Sequence, residues 1–157
     1  MAMIDYPENP VRLQTPMNIK DATNLIARNG HSHCLLCGNL HPKSLNLSFQ
    51  AEENGGVKAR FTAKDDLQGY EGILHGGVIA ALLDEAMTHC LFHRGIRAYT
   101  GDLRVRFVQP VACNASLKIK ARILSSRPPF YLLKGEITVD KNIVAWSEAK
   151  FMQRPIP

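Results

Sequence analysis

The stretch Leu67–His93, LQGYEGILHGGVIAALLDEAMTHCLFH, decides how this chain is read. It sets a His75-Gly76-Gly77 turn at the mouth of a long apolar helix and places two adjacent acids, Asp84 and Glu85, inside that helix. A free surface helix shows one apolar stripe. Here the apolar residues from Val78 to Leu83, and again from Ala86 to Phe92, cover most of the circumference, so other elements must wrap it. Burying a carboxylate on such a helix is costly unless a partner or a reaction uses it.

The pattern predicts a helix from about Gly76 to His93. Upstream, two strands, Leu45–Gln50 and Val57–Thr62, flank Asn54-Gly55-Gly56, a strong hairpin cue. Before them, Asn18 can cap a short helix running through Arg28, with Ile19, Ala22 and Ile26 on one face and Gly30 at its end. Residues 1–17 are broken by prolines and read as irregular. Downstream, Leu103–Phe107 and Leu117–Ile123 alternate apolar and basic residues with the period of two of half-buried strands. Tyr131–Val139 and Ile143–Met152 flank a turn at Asp140-Lys141-Asn142, while Pro110 and Arg127-Pro128-Pro129 fall where connections are needed. This half reads as a β-meander. The class is α+β: an antiparallel sheet of five or six strands curled around one long central helix, with a short N-terminal helix. The expected organisation is an extension over residues 1–33 and a single domain over 34–157.

A chain of 157 residues, 45% of them hydrophobic, suffices for one domain with a real core, and no apolar run reaches the length of a membrane span. The opening residues lack the basic-then-apolar plan of a secretory signal. With that, four cysteines point to reduced thiols in a cytoplasm. The formal charge of +5 suits an acidic partner, phosphates first. Its basic residues are scattered and no nucleic-acid motif surfaces, so neither nucleic acid nor membrane is the expected partner.

Gln68-Gly69-Tyr70, Gly72, His75-Gly76-Gly77 and Asp84, followed by strands, resemble the acyl-CoA thioesterases of the hotdog fold, in the phenylacetate-pathway (PaaI-like) branch. Phe107-Val108-Gln109-Pro110-Val111 resembles the strand-then-Pro step of the same superfamily, and the likeness covers roughly Cys34 to Met152. The resemblance implies hydrolysis of an acyl thioester, no metal or redox cofactor, and active sites built between two subunits. One position departs from it. Many PaaI-like enzymes carry Asn six residues before the His, where this chain has Gly69; Gln68, one residue earlier and longer, is the candidate to replace it, or else bonds loop backbone.

The chemistry can be set beside that resemblance. Thioester hydrolysis needs an activated water or a carboxylate nucleophile, with donors aimed at the oxygen that becomes negative. A helix N-terminus supplies unpaired N–H groups and the positive end of a dipole, and Gly76 and Gly77 clear side chains from them. Gly76, Gly77 and His75 therefore make a candidate oxyanion site, His75 being either a substrate contact or a structural residue. Asp84 can act as base or nucleophile, or be a buried acid bonded across an interface. Glu85 points about 100° away from it and stands four residues before His89, which favours a partner or subunit-contact role while leaving it a possible base. Asp84 is eight residues past Gly76, about 12 Å along the axis at ~1.5 Å per residue. Catalytic contacts need roughly 3 Å. An antiparallel second copy of the helix would bring the two together, which favours a homodimer, or a dimer of dimers, with paired interfacial sites.

Tyr70, Gly69, Leu74 and Met87 are the candidates to contact the acyl group, and Arg104, Arg106 and Arg127 to meet the phosphates of coenzyme A. His31, His33, Cys34, Cys37 and His41 have spacings compatible with zinc, yet no second Cys/His pair accompanies them; this region is read as a tight loop packing small thiols, without metal. The reading is an acyl-CoA thioesterase without cofactor. Its alternatives are a noncatalytic acyl-CoA sensor and a hotdog hydratase or dehydratase.

Overall fold

The computed structural model describes residues 19–154. Asn18 and the irregular stretch 1–17 lie outside them. Helix α1, Ile19–Arg28, ends as its glycine dictates: Gly30 takes φ +72°, its N–H reaches Ala27 O (3.1 Å), and the next N–H, of His31, reaches Ile26 O (2.9 Å). That paired closure is the Schellman form, and it fixes the direction in which the chain leaves the helix. Two short antiparallel strands follow, β1 (Gln50–Ala51) and β2 (Val57–Thr62), with Gly55 at φ +82° in the expected turn between them. Helix α2 spans Gly76–Phe92, and β3 (Tyr99–Phe107), β4 (Ser116–Arg127), β5 (Phe130–Val139) and β6 (Asn142–Met152) complete the chain.

The six strands form one antiparallel sheet in the order β1-β2-β4-β5-β6-β3, wrapped on α2. This is the α+β hotdog arrangement. Every second residue of the central strands faces the helix: Leu117 and Ile119 on β4, Leu133 and Ile137 on β5, all fully buried. They meet Leu82, Leu83, Ala86, Met87 and Cys90, equally buried. The helix packs tightly on Gly135, where a Cβ would stand 2.9 Å from Ser147 Oγ and 3.1 Å from Leu83 Cδ2. No helix among the described residues is long and apolar enough to cross a membrane.

Two expectations change. The strand predicted over Leu45–Gln50 shrinks to Gln50–Ala51, because the N–H groups of Leu45 and Leu47 bond to Leu35 O (2.9 Å) and Leu36 O (3.0 Å) of the preceding loop rather than to a strand. Leu47 and Phe49 are still buried, so the apolar alternation read there is real although the ladder is absent. The four later strands are not a simple meander either. β3 pairs with β6 at one margin of the sheet, while β4 crosses over to pair with β2. The segment around Pro110 makes that crossing, tied to the entrance of α2 by Leu74 N–H donating to Val111 O (2.8 Å).

Leu83→Ala should cost about 2–5 kcal/mol, since the sheet cannot collapse onto a helix already in contact at Gly135. Urea unfolding measures it as a lower midpoint at unchanged slope. A loss under about 1 kcal/mol would show the helix to be less tightly held than the contacts indicate.

Candidate active site at the helix N-terminus

The loop Gln68–Leu74 closes on itself before α2 begins. Gly69 N–H donates to Ile73 O (2.9 Å), Gly72 turns at φ +74°, and Gln68 Oε1 accepts from Gly72 N–H (2.9 Å). The Gln68 side chain therefore does bond loop backbone, and only its Nε2 is left to donate elsewhere. His75 N-caps the helix, its Nδ1 accepting from Gly77 N–H at 2.8 Å. A Cβ on Gly77 would stand 3.0 Å from that nitrogen, so glycine is needed to admit the imidazole. Of the two glycine amides, Gly77 is thus engaged internally; Gly76 N–H has no partner among the described residues.

Gly76 lines a largely apolar cleft of about 570 Å³ at the N-terminal end of α2. Gly69, Tyr70 and Leu74, three of the expected substrate contacts, line it together with Ile73, His75, Gly76 and Ile79. Phe107, Val108, Gln109 and Pro110 form the opposite wall. Tyr70, 88% exposed, stands at the rim. Phe107 and Gln109 were not singled out from the sequence, although the strand-then-Pro step around them was. Met87 is elsewhere: it is fully buried, receives a hydrogen bond from Ser147 Oγ (3.8 Å to Sδ), and belongs to the core. Arg104, Arg106 and Arg127 are exposed and none lines the cleft; Arg104 lies over the Trp146 ring at 5.7 Å.

The two adjacent acids go separate ways. Asp84 is half-buried and accepts from Thr100 Oγ1 at 2.6 Å, beside the start of β3. Burial raises its pKa, with the Thr100 bond opposing. It does not line the cleft, which is built at the other end of β3. Glu85 is 6% exposed and turns to the opposite side, with Oε1 3.3 Å from His89 Nε2, 3.4 Å from His31 Nδ1 and 3.6 Å from Cys34 Sγ. Burial pushes its carboxyl up, but His31 and His89 outweigh that and hold it well below the usual carboxylate range. The hydrogen bond from Cys37 brings the Cys34 thiol down to about 4, and bonding to Cys34 and then Glu85 raises His31 to about 9. The pairing of Glu85 with His89 was expected from their spacing, whereas Thr100, His31 and Cys34 as partners gave no local signal. His33 and His41 stay outside the group.

A six-stranded sheet curled round one buried helix, with an apolar cleft at that helix's N-terminus, defines a hotdog fold. Residues 71–127 match the family model of the Thioesterase superfamily. Among solved structures, a thioesterase superfamily protein aligns with a TM-score of 0.73 and 23% identity over 78% of this chain; the chain spans only 61% of that protein's length. A putative thioesterase of Ralstonia eutropha JMP134, a phenylacetic acid degradation-related protein, gives 0.63 and 25% over 69% of this chain and 85% of its own. A Streptococcus mutans UA159 protein, solved bound to acetyl CoA, gives 0.65 and 21% over 69% and 89%. A search of curated proteins by sequence found no match. Over residues 71–127 the chain resembles the Thioesterase superfamily, and its fold is that of these hotdog structures, a phenylacetic acid degradation-related protein among them.

His75→Ala should cost about 1 kcal/mol through loss of the cap, measured as a lower unfolding midpoint. An unchanged midpoint would mean that His75 does not act as the cap.

Proposed function

We propose that the protein hydrolyses an acyl or aryl thioester of coenzyme A to the free acid and CoA, in active sites shared between two copies of the chain. The observation that carries this is the Gly76 N–H, unpartnered among the described residues at the N-terminus of a buried helix, with Gly76 lining an apolar cleft in a fold like that of the thioesterase superfamily. The helix dipole is positive there, so a thioester oxygen seated on Gly76 gains most when it becomes an oxyanion. Gln68 Nε2 is the second candidate donor, replacing the Asn of related enzymes. Tyr70, Ile73, Leu74 and Phe107 supply the apolar contacts for the acyl group. The binding of acetyl CoA by the Streptococcus mutans relative supports a CoA thioester as the substrate class.

Asp84 is the acid of choice. Glu85 is too enclosed and too strongly engaged to reach a substrate. Thr100 orients the Asp84 carboxylate, which takes a proton from the attacking water, or itself attacks the carbonyl; the C–S bond then breaks, the departing thiolate is protonated, and in the second case water cleaves the resulting anhydride to free the acid and restore Asp84. Within one chain about 12 Å of helix separates Asp84 from the Gly76 amide. A second copy set antiparallel along the margin at β3, whose outer edge is unpaired among the described residues, would bring its Asp84 to this Gly76. Arg104, Arg106 and Arg127 are exposed and available to the phosphates of CoA.

Release of free thiol from a panel of acyl-CoA chain lengths tests the activity; no turnover of any thioester would favour a binding protein instead. Asp84→Asn should lower kcat by about 10²–10⁴ with little change in folding. Sharing between chains is tested by mixing. Asp84→Asn and Gly76→Val chains, each inactive alone, should regain about a quarter of the wild-type sites when unfolded and refolded together, because only mixed dimers hold an intact Asp84–Gly76 pair. No recovery from mixtures shown to contain mixed dimers would place both residues in one chain.

A further inference from the structure

We propose that His31, Cys34, Cys37 and Glu85 form a tetrahedral binding site for Zn²⁺ that fastens the loop after α1 to helix α2. Their four ligand atoms, Nδ1, two Sγ and a carboxylate oxygen, all lie within 4.8 Å of one another. Ligands bound at ~2.0–2.3 Å in a tetrahedron stand about 3.3–3.8 Å apart along its edges. Three edges are measured: His31 Nδ1 to Glu85 Oε1 at 3.4 Å, His31 Nδ1 to Cys37 Sγ at 3.6 Å, and Cys34 Sγ to Glu85 Oε1 at 3.6 Å. Each falls on that spacing. A cluster held only by hydrogen bonds would draw the imidazole nitrogens to within about 2.7–3.2 Å of the carboxylate. Neither His31 nor His89, at 3.3 Å, comes that close, and His89 Nε2 is buried without a hydrogen-bond partner.

The backbone is shaped for the same purpose. The close of α1 sets His31, whose carbonyl accepts from Cys34 N–H (3.0 Å); Gly38 N–H donates to Cys34 O (2.8 Å), and Leu36 N–H donates to Cys34 Sγ at 3.3 Å. An amide aimed at a sulfur stabilises it as the thiolate that a metal requires. Gly38 allows no side chain at all, since a Cβ would stand 2.5 Å from Cys34 N and from Ser32 O. The last ligand comes from α2, 51 residues beyond Cys34. Two sulfurs, one imidazole and one carboxylate in a tetrahedral set suit Zn²⁺ above harder divalent cations. Four protein ligands leave no open position, which makes the site structural rather than catalytic. His89, stacked on Phe49 at 4.7 Å between ring centres, steadies the Glu85 carboxylate from outside the ligand set.

The test is elemental analysis of the full chain, purified under reducing conditions without chelator, followed by Co²⁺ replacement. Stoichiometric zinc is expected, and Co²⁺ should give thiolate-to-metal charge-transfer and tetrahedral ligand-field bands. Cys34→Ser and Glu85→Gln should weaken retention of the metal by roughly 10-fold or more, whereas His33→Ala and His41→Ala should leave it unchanged. Zinc-free protein that also gives no charge-transfer band with Co²⁺ would overturn the proposal. So would full metal content in a folded Cys34→Ser chain. If that variant does not fold, the wild-type cobalt spectrum decides alone, because charge-transfer intensity reports the thiolates bound.

Discussion

Two carboxylates in succession on a buried helix can be accommodated only if they leave it in different directions and each finds its own partner. Adjacent helical residues diverge by about 100°, which makes this possible for Asp84 and Glu85. Glu85 points to the loop after α1, where two imidazoles and a thiol gather on a single carboxylate oxygen. Asp84 points to the margin of the sheet and meets one hydroxyl, that of Thr100. An acid gathered in by two imidazoles and a thiol is held as a fixed charge. An acid with one neutral donor, half-exposed at an open edge, keeps an oxygen for something else. The contrast between the two acids follows from this difference in surroundings, not from the residue types.

The sheet order gives that edge its place. By running to the margin beside β6, β3 carries Thr100 to Asp84 at one end and Phe107 to the cleft at the other. Roughly seven residues of extended strand, at ~3.3 Å each, lie between those points. The acid and the amide cleft are thus held apart by rigid elements, a strand and a helix, and no rotamer change within one chain joins them.

The helix-centred parts of this architecture were legible in the sequence because their signals are local. Apolar residues all round one helix announce burial, a glycine past Arg28 announces a helix end, and Asn54-Gly55-Gly56 announces a turn. Strand partners are not local. Leu45–Phe49 has the alternation of a strand and buries Leu47 and Phe49 accordingly, but its amides bond to a loop, which no periodicity can reveal. Met87 shows the complementary limit: it is a candidate for the acyl pocket in the sequence, and the curl of the sheet turns its face into core.

The glycine pair and the cysteine loop show how the same residue types admit readings that only geometry separates. His75-Gly76-Gly77 suggested two bare amides; the imidazole of His75 takes one of them, so the second glycine serves the cap and the first serves the cleft. His31-x-x-Cys34-x-x-Cys37 supplies three metal-type donors, while His33 and His41, whose spacing also suits zinc, stay outside the group. The missing donor is on α2, already accounted for in sequence terms by its helical pairing with His89. A pairing at i, i+4 explained Glu85 well enough to hide its second set of neighbours. Local sufficiency is therefore a weak reason to stop assigning a buried acid: Glu85 pairs with His89 and still faces His31, Cys34 and Cys37, and the burial that makes such a charge expensive is what makes the larger set of partners necessary.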